Sequence, residues 1–212
     1  MTNVSRILIA DDHGIFLEGL KQVISRTANM TVADEAADGP EVLVKIRSNE
    51  YDLLVLDISL PGRSGLDIMT EIKSIRPKLP VLILSMHPEE QYAMRALKSG
   101  AAGYLTKGSS SQDLIDALQR IATGKKYVSA SMAELLASRL GSDVDGPLHE
   151  ILSGREYQVM LLIAAGATPK RISEELMVGI KTVNTYRVRI LQKMELKCNA
   201  ELTRYAIQHR LM

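Results

Sequence analysis

The chain has 212 residues, 46% hydrophobic and 24% charged, with a net charge of +1, proportions of an ordinary globular protein of one or two domains. Its apolar runs stay well short of the ~20 residues a membrane span needs, and no basic segment followed by an apolar core opens it. Its one cysteine, Cys198, excludes an internal disulfide, so a reduced, cytoplasmic setting is expected. The small net charge hides a polarity. Residues 1–124 hold 13 Lys and Arg against 16 Asp and Glu, residues 125–146 three against three, and residues 147–212 ten against six. An acidic front and a basic back suggest two domains, the second suited to a polyanion such as DNA.

Ile7–Ala10 predicts a strand running into Asp11 and Asp12, after which Ile15, Leu17, Leu20, Val23 and Ile24 recur at helical spacing. Thr31–Ala33 reads as a short second strand, and Gly39–Ser48 as a helix carrying Val42, Leu43 and Ile46. Leu53–Leu56 is a third strand ending at Asp57. Pro61 and Gly62 mark a turn, and Leu66, Ile68, Met69, Ile72 and Ile75 form a helical stripe closed by Pro77. Val81–Leu84 runs into Ser85, and a helix over Glu89–Ser99 is capped by Gly100. Gly103–Leu105 runs into Thr106 and Lys107, and a helix from Ser111 carries Leu114, Ile115, Leu118 and Ile121 as far as Gly124. Five strands alternating with helices predict a doubly wound α/β fold with a five-stranded parallel sheet.

Ser129–Leu140 predicts one more helix, with Met132, Leu135, Leu136 and Leu140 on one side, and Gly141–Pro147 reads as a linker. Beyond it no strand is evident. Arg155–Ala165, Pro169–Met177, Ile180–Met194 and Asn199–Arg210 read as the helices of a small all-α domain. The expected division is 5–124, a connecting 125–147 with one helix, and 148–212.

Ligands of an open parallel sheet bind beyond the carboxyl ends of its strands. Asp11, Asp12, Asp57, Ser85 and Lys107 are therefore expected at one edge. Three carboxylates, a hydroxyl and an amine there suit a divalent cation and a phosphoryl group. Singly, each residue has an ordinary structural reading: an N-cap pair, a turn aspartate, a surface lysine. His13 is read as the start of the first helix rather than as a ligand.

This set of strand-end residues resembles the receiver domain of a two-component response regulator over about the first 124 residues, and Tyr104 matches that family's switch aromatic. The resemblance implies a flavodoxin-like fold, phosphorylation of Asp57 by a sensor histidine kinase, and Mg²⁺ held by Asp11, Asp12, Asp57 and the Ser59 carbonyl. It further implies that Lys107 pairs with Asp57 and then with the phosphoryl oxygens. Ser85 would turn in to the phosphoryl group, and Tyr104 would swing in from solvent. Slow self-dephosphorylation aside, no enzymatic activity is expected. Gly108 stands where many receivers have proline after the lysine.

The tail resembles a LuxR-type helix-turn-helix, on Leu152–Glu156, Ile163–Gly166, Arg171–Ser173, Lys181–Arg187 and Leu191–Met194, which with the receiver gives the NarL/FixJ class. Ile172, Leu176, Val183, Ile190, Leu191 and Met194 are expected in the core. The resemblance implies base contacts by Asn184, Thr185 and Val188. Phosphate contacts are implied for Lys170, Lys181, Thr182, Tyr186, Arg187, Arg189 and Lys193. Leu202, Ala206 and Ile207 on the last helix would pair two copies into a homodimer on double-stranded operator DNA, or would close the domain's own core, and both could hold. The family more often has Lys at position 184 and His at 186. The rival readings are a haloacid-dehalogenase-like phosphatase, which wants a second Asp where Ser59 stands, and an adaptor that needs no DNA.

Overall fold

The computed structural model describes residues 4–139, 147–209 and 211–212. The expected linker before Pro147, Leu140 and Arg210, and the side chain of Leu135, lie outside the described residues. The chain divides into two compact units, 1–142 and 143–212.

In the first unit, β1 (Ser5–Ala10), β2 (Met30–Ala36), β3 (Leu53–Leu56), β4 (Val81–Ser85) and β5 (Gly103–Thr106) form one parallel sheet in the order β2-β1-β3-β4-β5. The helices between and after them are α1 (Gly14–Ser25), α2 (Gly39–Ser48), α3 (Gly65–Ile75), α4 (Glu89–Lys98) and α5 (Ser111–Ala122). Ile7, Ile9, Leu53, Val55, Leu82 and Leu84 point to one face, where Leu20 and Ile24 of α1 and Leu114, Leu118 and Ile121 of α5 cover them. Alternate residues such as Leu8, Leu54 and Leu56 point the other way and are also fully buried. That two-sided burial is why these strands read as continuous apolar runs.

Local chemistry starts the helices where the sequence offers caps. Asp38 accepts from the Glu41 N–H with proline following, Ser64 accepts from Leu66, and Ser110 with Asp113 makes a capping box. β2 runs to Ala36, three residues beyond expectation. It is an edge strand paired on one side only, so Asp34 and Glu35 keep their side chains in contact with solvent. Ile15, placed by periodicity on the apolar stripe of α1, is 94% exposed, because α1 begins beyond the edge of the sheet it covers. A further helix, α6 (Ala130–Arg139), packs on α4, with Ser129 and Ser131 hydroxyls both donating to Glu89.

The second unit opens with a 3-10 turn over Leu148–Ile151 that the sequence reading did not anticipate. It continues through α7 (Gly154–Ala164), α8 (Pro169–Glu175), α9 (Ile180–Lys193) and α10 (Asn199–Gln208). Ser153 and Glu156 form a capping box on α7, and Thr168 caps α8 with Pro169 in its first turn. Ile172, Leu176, Val183, Ile190 and Met194 are buried as expected, whereas Leu191 is half-exposed at the side of α9. Buried Arg155 donates to Gln158 and to the Leu176 carbonyl, tying α7 to the end of α8.

Candidate phosphoryl-transfer site and nucleic-acid interface

Strand order reverses between β1 and β3, which opens a crevice at their carboxyl ends. Register sets its contents. Ala10 lies opposite Leu56, and the Asp57 N–H donates to the Ala10 carbonyl, so Asp11 and Asp57 stand side by side. Ser85 lies opposite Thr106, and the Lys107 N–H donates to the Ser85 carbonyl, which aims Lys107 back across the edge. Its Nζ lies 2.6 Å from Asp11 Oδ2 and 2.8 Å from Asp57 Oδ2, with all three side chains buried. Burial holds the Asp57 carboxyl above the usual carboxylate range, although the Lys107 charge offsets part of the effect. Asp57 Oδ1 also accepts the Ser59 N–H at 3.1 Å.

Asp11, Asp12, His13 and Asp57 each offer a ligand atom, and these atoms lie within 4.8 Å of one another. Asp12 Oδ1 is buried and accepts no hydrogen bond. A buried carboxylate oxygen with no well-aligned donor, beside two further buried carboxylates, fits a hard divalent cation. His13 is the N-cap residue of α1, as expected, but its ring also joins the cluster: Nδ1 lies 3.0 Å from Asp11 Oδ1 and 2.9 Å from Asp12 Oδ1.

Ser85 is fully buried, and its Oγ accepts the His87 N–H. Tyr104 was expected at the solvent boundary. Its ring is instead buried, and its hydroxyl donates to the His87 carbonyl at 2.8 Å, which supplies the partner a buried phenol needs. The Tyr104 ring thus lies inward in this structure.

His87 was missed by the sequence reading. Its ring stacks on Tyr92 at 4.4 Å between centroids, and Nε2 lies 3.3 Å from Ser59 Oγ. Burial and then the Lys107 charge push its imidazole below the ordinary value. A sequence signal for it exists: His87 follows strand-end Ser85 by two residues, as Ser59 follows Asp57, so both sit on loops over the same edge. Gly65 was missed too. A Cβ there would lie 2.1 Å from the Asp57 carbonyl oxygen, so the start of α3 presses on the backbone of the central aspartate.

In the second unit, about 100° of rotation per residue places Lys181, Asn184, Thr185 and Val188 on one exposed face of α9, opposite Val183 and Ile190. The Thr185 hydroxyl donates to the Lys181 carbonyl, leaving its methyl outward. Lys170, Thr182 and Arg189 are exposed, and Tyr186 is half-buried. Two of the residues expected to contact phosphates, on the shoulders of the helix facing its scaffold, also meet partners within the unit. Lys193 Nζ lies 2.6 Å from Glu156 Oε2, and Arg187 Nε donates to Asn199 at 2.7 Å. Of the three residues expected to pair two copies or to close the domain's own core, two serve the core. Leu202 and Ala206 are fully buried against the unit's own core, and Ile207 alone of the three is exposed, at 60%.

A phosphoryl-type acidic site on a doubly wound sheet, followed by a helical unit presenting one polar, basic helix face, defines a signal-receiving regulator of nucleic acid. The response regulator receiver domain family matches residues 7–119, and the luxR family of bacterial regulatory proteins matches 150–206. The chain belongs to the two-component response regulators of the NarL/FixJ class, with a receiver and a LuxR-type DNA-binding domain. It is 35% identical to the oxygen regulatory protein NreC of Staphylococcus carnosus, covering 98% of this chain and 99% of that one. It is 32% identical to the response regulator UvrY of Escherichia coli K12, covering 97% and 94%. Among solved structures it resembles RcsB of Salmonella enterica serovar Typhimurium bound to the promoter P1flhDC in the presence of the phosphomimetic BeF3⁻. The TM-score is 0.62 at 26% identity, covering 96% and 98%. The family is regulatory rather than enzymatic, and its receivers bind Mg²⁺ at the acidic pocket. No helix among the described residues is long and apolar enough to cross a membrane.

Proposed function

We propose that a sensor histidine kinase phosphorylates Asp57 and that this event controls sequence-specific DNA binding by residues 148–212, with 5–124 the receiver and 125–147 the connection. The observation that carries the reading is the bridge of Lys107 between Asp11 and Asp57. It holds the nucleophile in place and keeps a cation where phosphoryl charge will develop. An Asp57 carboxylate oxygen attacks phosphorus, and the P–N bond of the donor phosphohistidine breaks. The imidazole leaves with the bonding pair and takes up a proton. Lys107 then pairs with a phosphoryl oxygen, and the Ser85 hydroxyl donates to another. Asp11, Asp12, Asp57 and the Ser59 carbonyl would hold Mg²⁺, which when bound neutralises charge on the entering phosphoryl group. Water returns the acyl phosphate slowly to the carboxylate.

On the DNA side, Asn184, Thr185 and Val188 read base edges. Lys170, Lys181, Thr182, Tyr186 and Arg189 hold phosphates, while Lys193 and Arg187 brace the recognition helix. Two copies engage adjacent half-sites as a homodimer, and the exposed Ile207 belongs to the surface that pairs them. RcsB, bound to promoter DNA with BeF3⁻ present, supports this order of events.

The test is binding of the full chain to a pool of genomic DNA fragments, with and without Mg²⁺ and beryllofluoride. Tighter, sequence-selective binding with the mimic is expected, and Asp57→Asn should abolish the gain. Equal binding in all conditions would sink the coupling of Asp57 to α9.

A further inference from the structure

The edge of the sheet opposite the acidic site, where the strands begin, holds a cavity of about 640 Å³, within the range of small-ligand sites. Four of its lining side chains are lysines: Lys73 in the last turn of α3, Lys78 before β4, and Lys125 and Lys126 just past α5. Asp52 is the one acid among the lining residues, and its Oδ2 already accepts the Arg6 N–H at 2.8 Å. None of the four lysines forms an ion pair among the described residues. Three helix ends point towards this edge, and each contributes about half a negative charge. Together with Asp52 they leave the lysines in excess.

Lys73 is built in rather than loose. Its Nζ donates to the Leu79 carbonyl at 2.7 Å, and its stem lies across Gly100, where a Cβ would come within 3.3 Å of Cε. Burial, and then the charge of Lys126, pull its ammonium below the ordinary lysine value. Lys73 and Lys126 therefore line the same concave space, close enough for one charge to act on the other. The segment leaving α5 is fixed beside it: the Tyr127 N–H donates to the Ala102 carbonyl at 2.8 Å, and Arg120 Nε donates to the Lys126 carbonyl at 2.9 Å.

We propose that this cavity binds a small multivalent phosphate anion, the size of a phosphate trimer or the phosphate chain of a nucleotide. The anion bridges Lys73 and Lys78 on the sheet side to Lys125 and Lys126 on the connecting segment. Its occupancy clamps the start of the connection between receiver and DNA-binding domain. That gives the chain a second input, at the opposite edge from Asp57.

The test is titration of the full chain with inorganic tripolyphosphate, without added divalent cation, followed by backbone amide NMR. Shifts are expected at Gly100–Ala102 and Lys125–Tyr127. Lys78→Ala and Lys126→Ala, both at exposed side chains, should each weaken binding about tenfold with melting unchanged. A parallel titration with ATP separates the sources: equal affinity assigns recognition to the phosphates alone, and tighter binding assigns the nucleotide. Shifts confined to residues 147–212, or wild-type affinity in both variants, would overturn the proposal.

Discussion

A single methyl group at residue 65 would meet the Asp57 carbonyl oxygen at 2.1 Å, too close for any Cβ, and the atom it meets is backbone. Gly65→Ala must therefore move either α3 or the end of β3. The expected cost is about 1–3 kcal/mol of stability, as for overpacked cores. Because the atom that a Cβ would strike belongs to Asp57 itself, beryllofluoride affinity should fall by more than the melting temperature suggests. A Gly65→Ala variant with wild-type melting and wild-type affinity would refute this. No periodicity marks Gly65 as critical, since its constraint comes from a residue eight positions away across a turn. His87 was hidden for a related reason: its Ser59 partner is 28 residues distant. By contrast, Asp11, Asp57, Ser85 and Lys107 were legible, because a parallel sheet delivers every strand end to one edge and the apolar runs show where the strands stop.

At the scale of the element, the recognition helix shows the limit of reading a helix alone. Spacing sorts α9 into a buried side and an exposed side, but it does not reveal that Lys193 meets Glu156, 37 residues earlier. Burial pushes the Glu156 carboxyl up. The Lys193 hydrogen bond and the Ser153 N–H more than offset this, leaving it below the ordinary glutamate value. Its native pKa is depressed, so the associated stability is present above about 4.5, the unfolded value, and is lost as pH falls through the native one. Melting of the second unit should therefore drop on acidification below that point, and Glu156→Gln should flatten the drop while lowering stability at neutral pH. Equal pH profiles for wild type and variant would refute it. On the exposed side, Asn184→Ala should change the preferred sequence, by about 1–3 kcal/mol at the base it reads, whereas Lys181→Ala should weaken all sequences alike. Selection from a randomised operator library separates the two outcomes.

For the whole molecule, the decisive quantity is where charge sits. The basic residues gathered after position 147 favour DNA, while the first 124 residues carry a net excess of acid. Phosphorylation replaces the single charge of the Asp57 carboxylate with a phosphoryl group carrying roughly −1.5 to −2, so the acidic part gains about −0.5 to −1. Through charge alone it would weaken attraction to a polyanion. Any tightening by beryllofluoride must therefore come from a change of conformation or association, and salt dependence distinguishes these contributions. Each protein–phosphate contact releases condensed counterions and adds close to one unit to the slope of log affinity against log salt. Lys170→Ala, Lys181→Ala and Arg189→Ala should each lower that slope by about 1 per DNA-bound protomer. Lys193→Ala should leave it nearly unchanged, because Glu156 already occupies that ammonium. If beryllofluoride acts by association, it should raise affinity at every salt concentration and steepen the slope in proportion to the protomers bound. If it acts by freeing the α9 face within one protomer, affinity should rise at constant stoichiometry, which sedimentation of the protein–DNA complex measures directly.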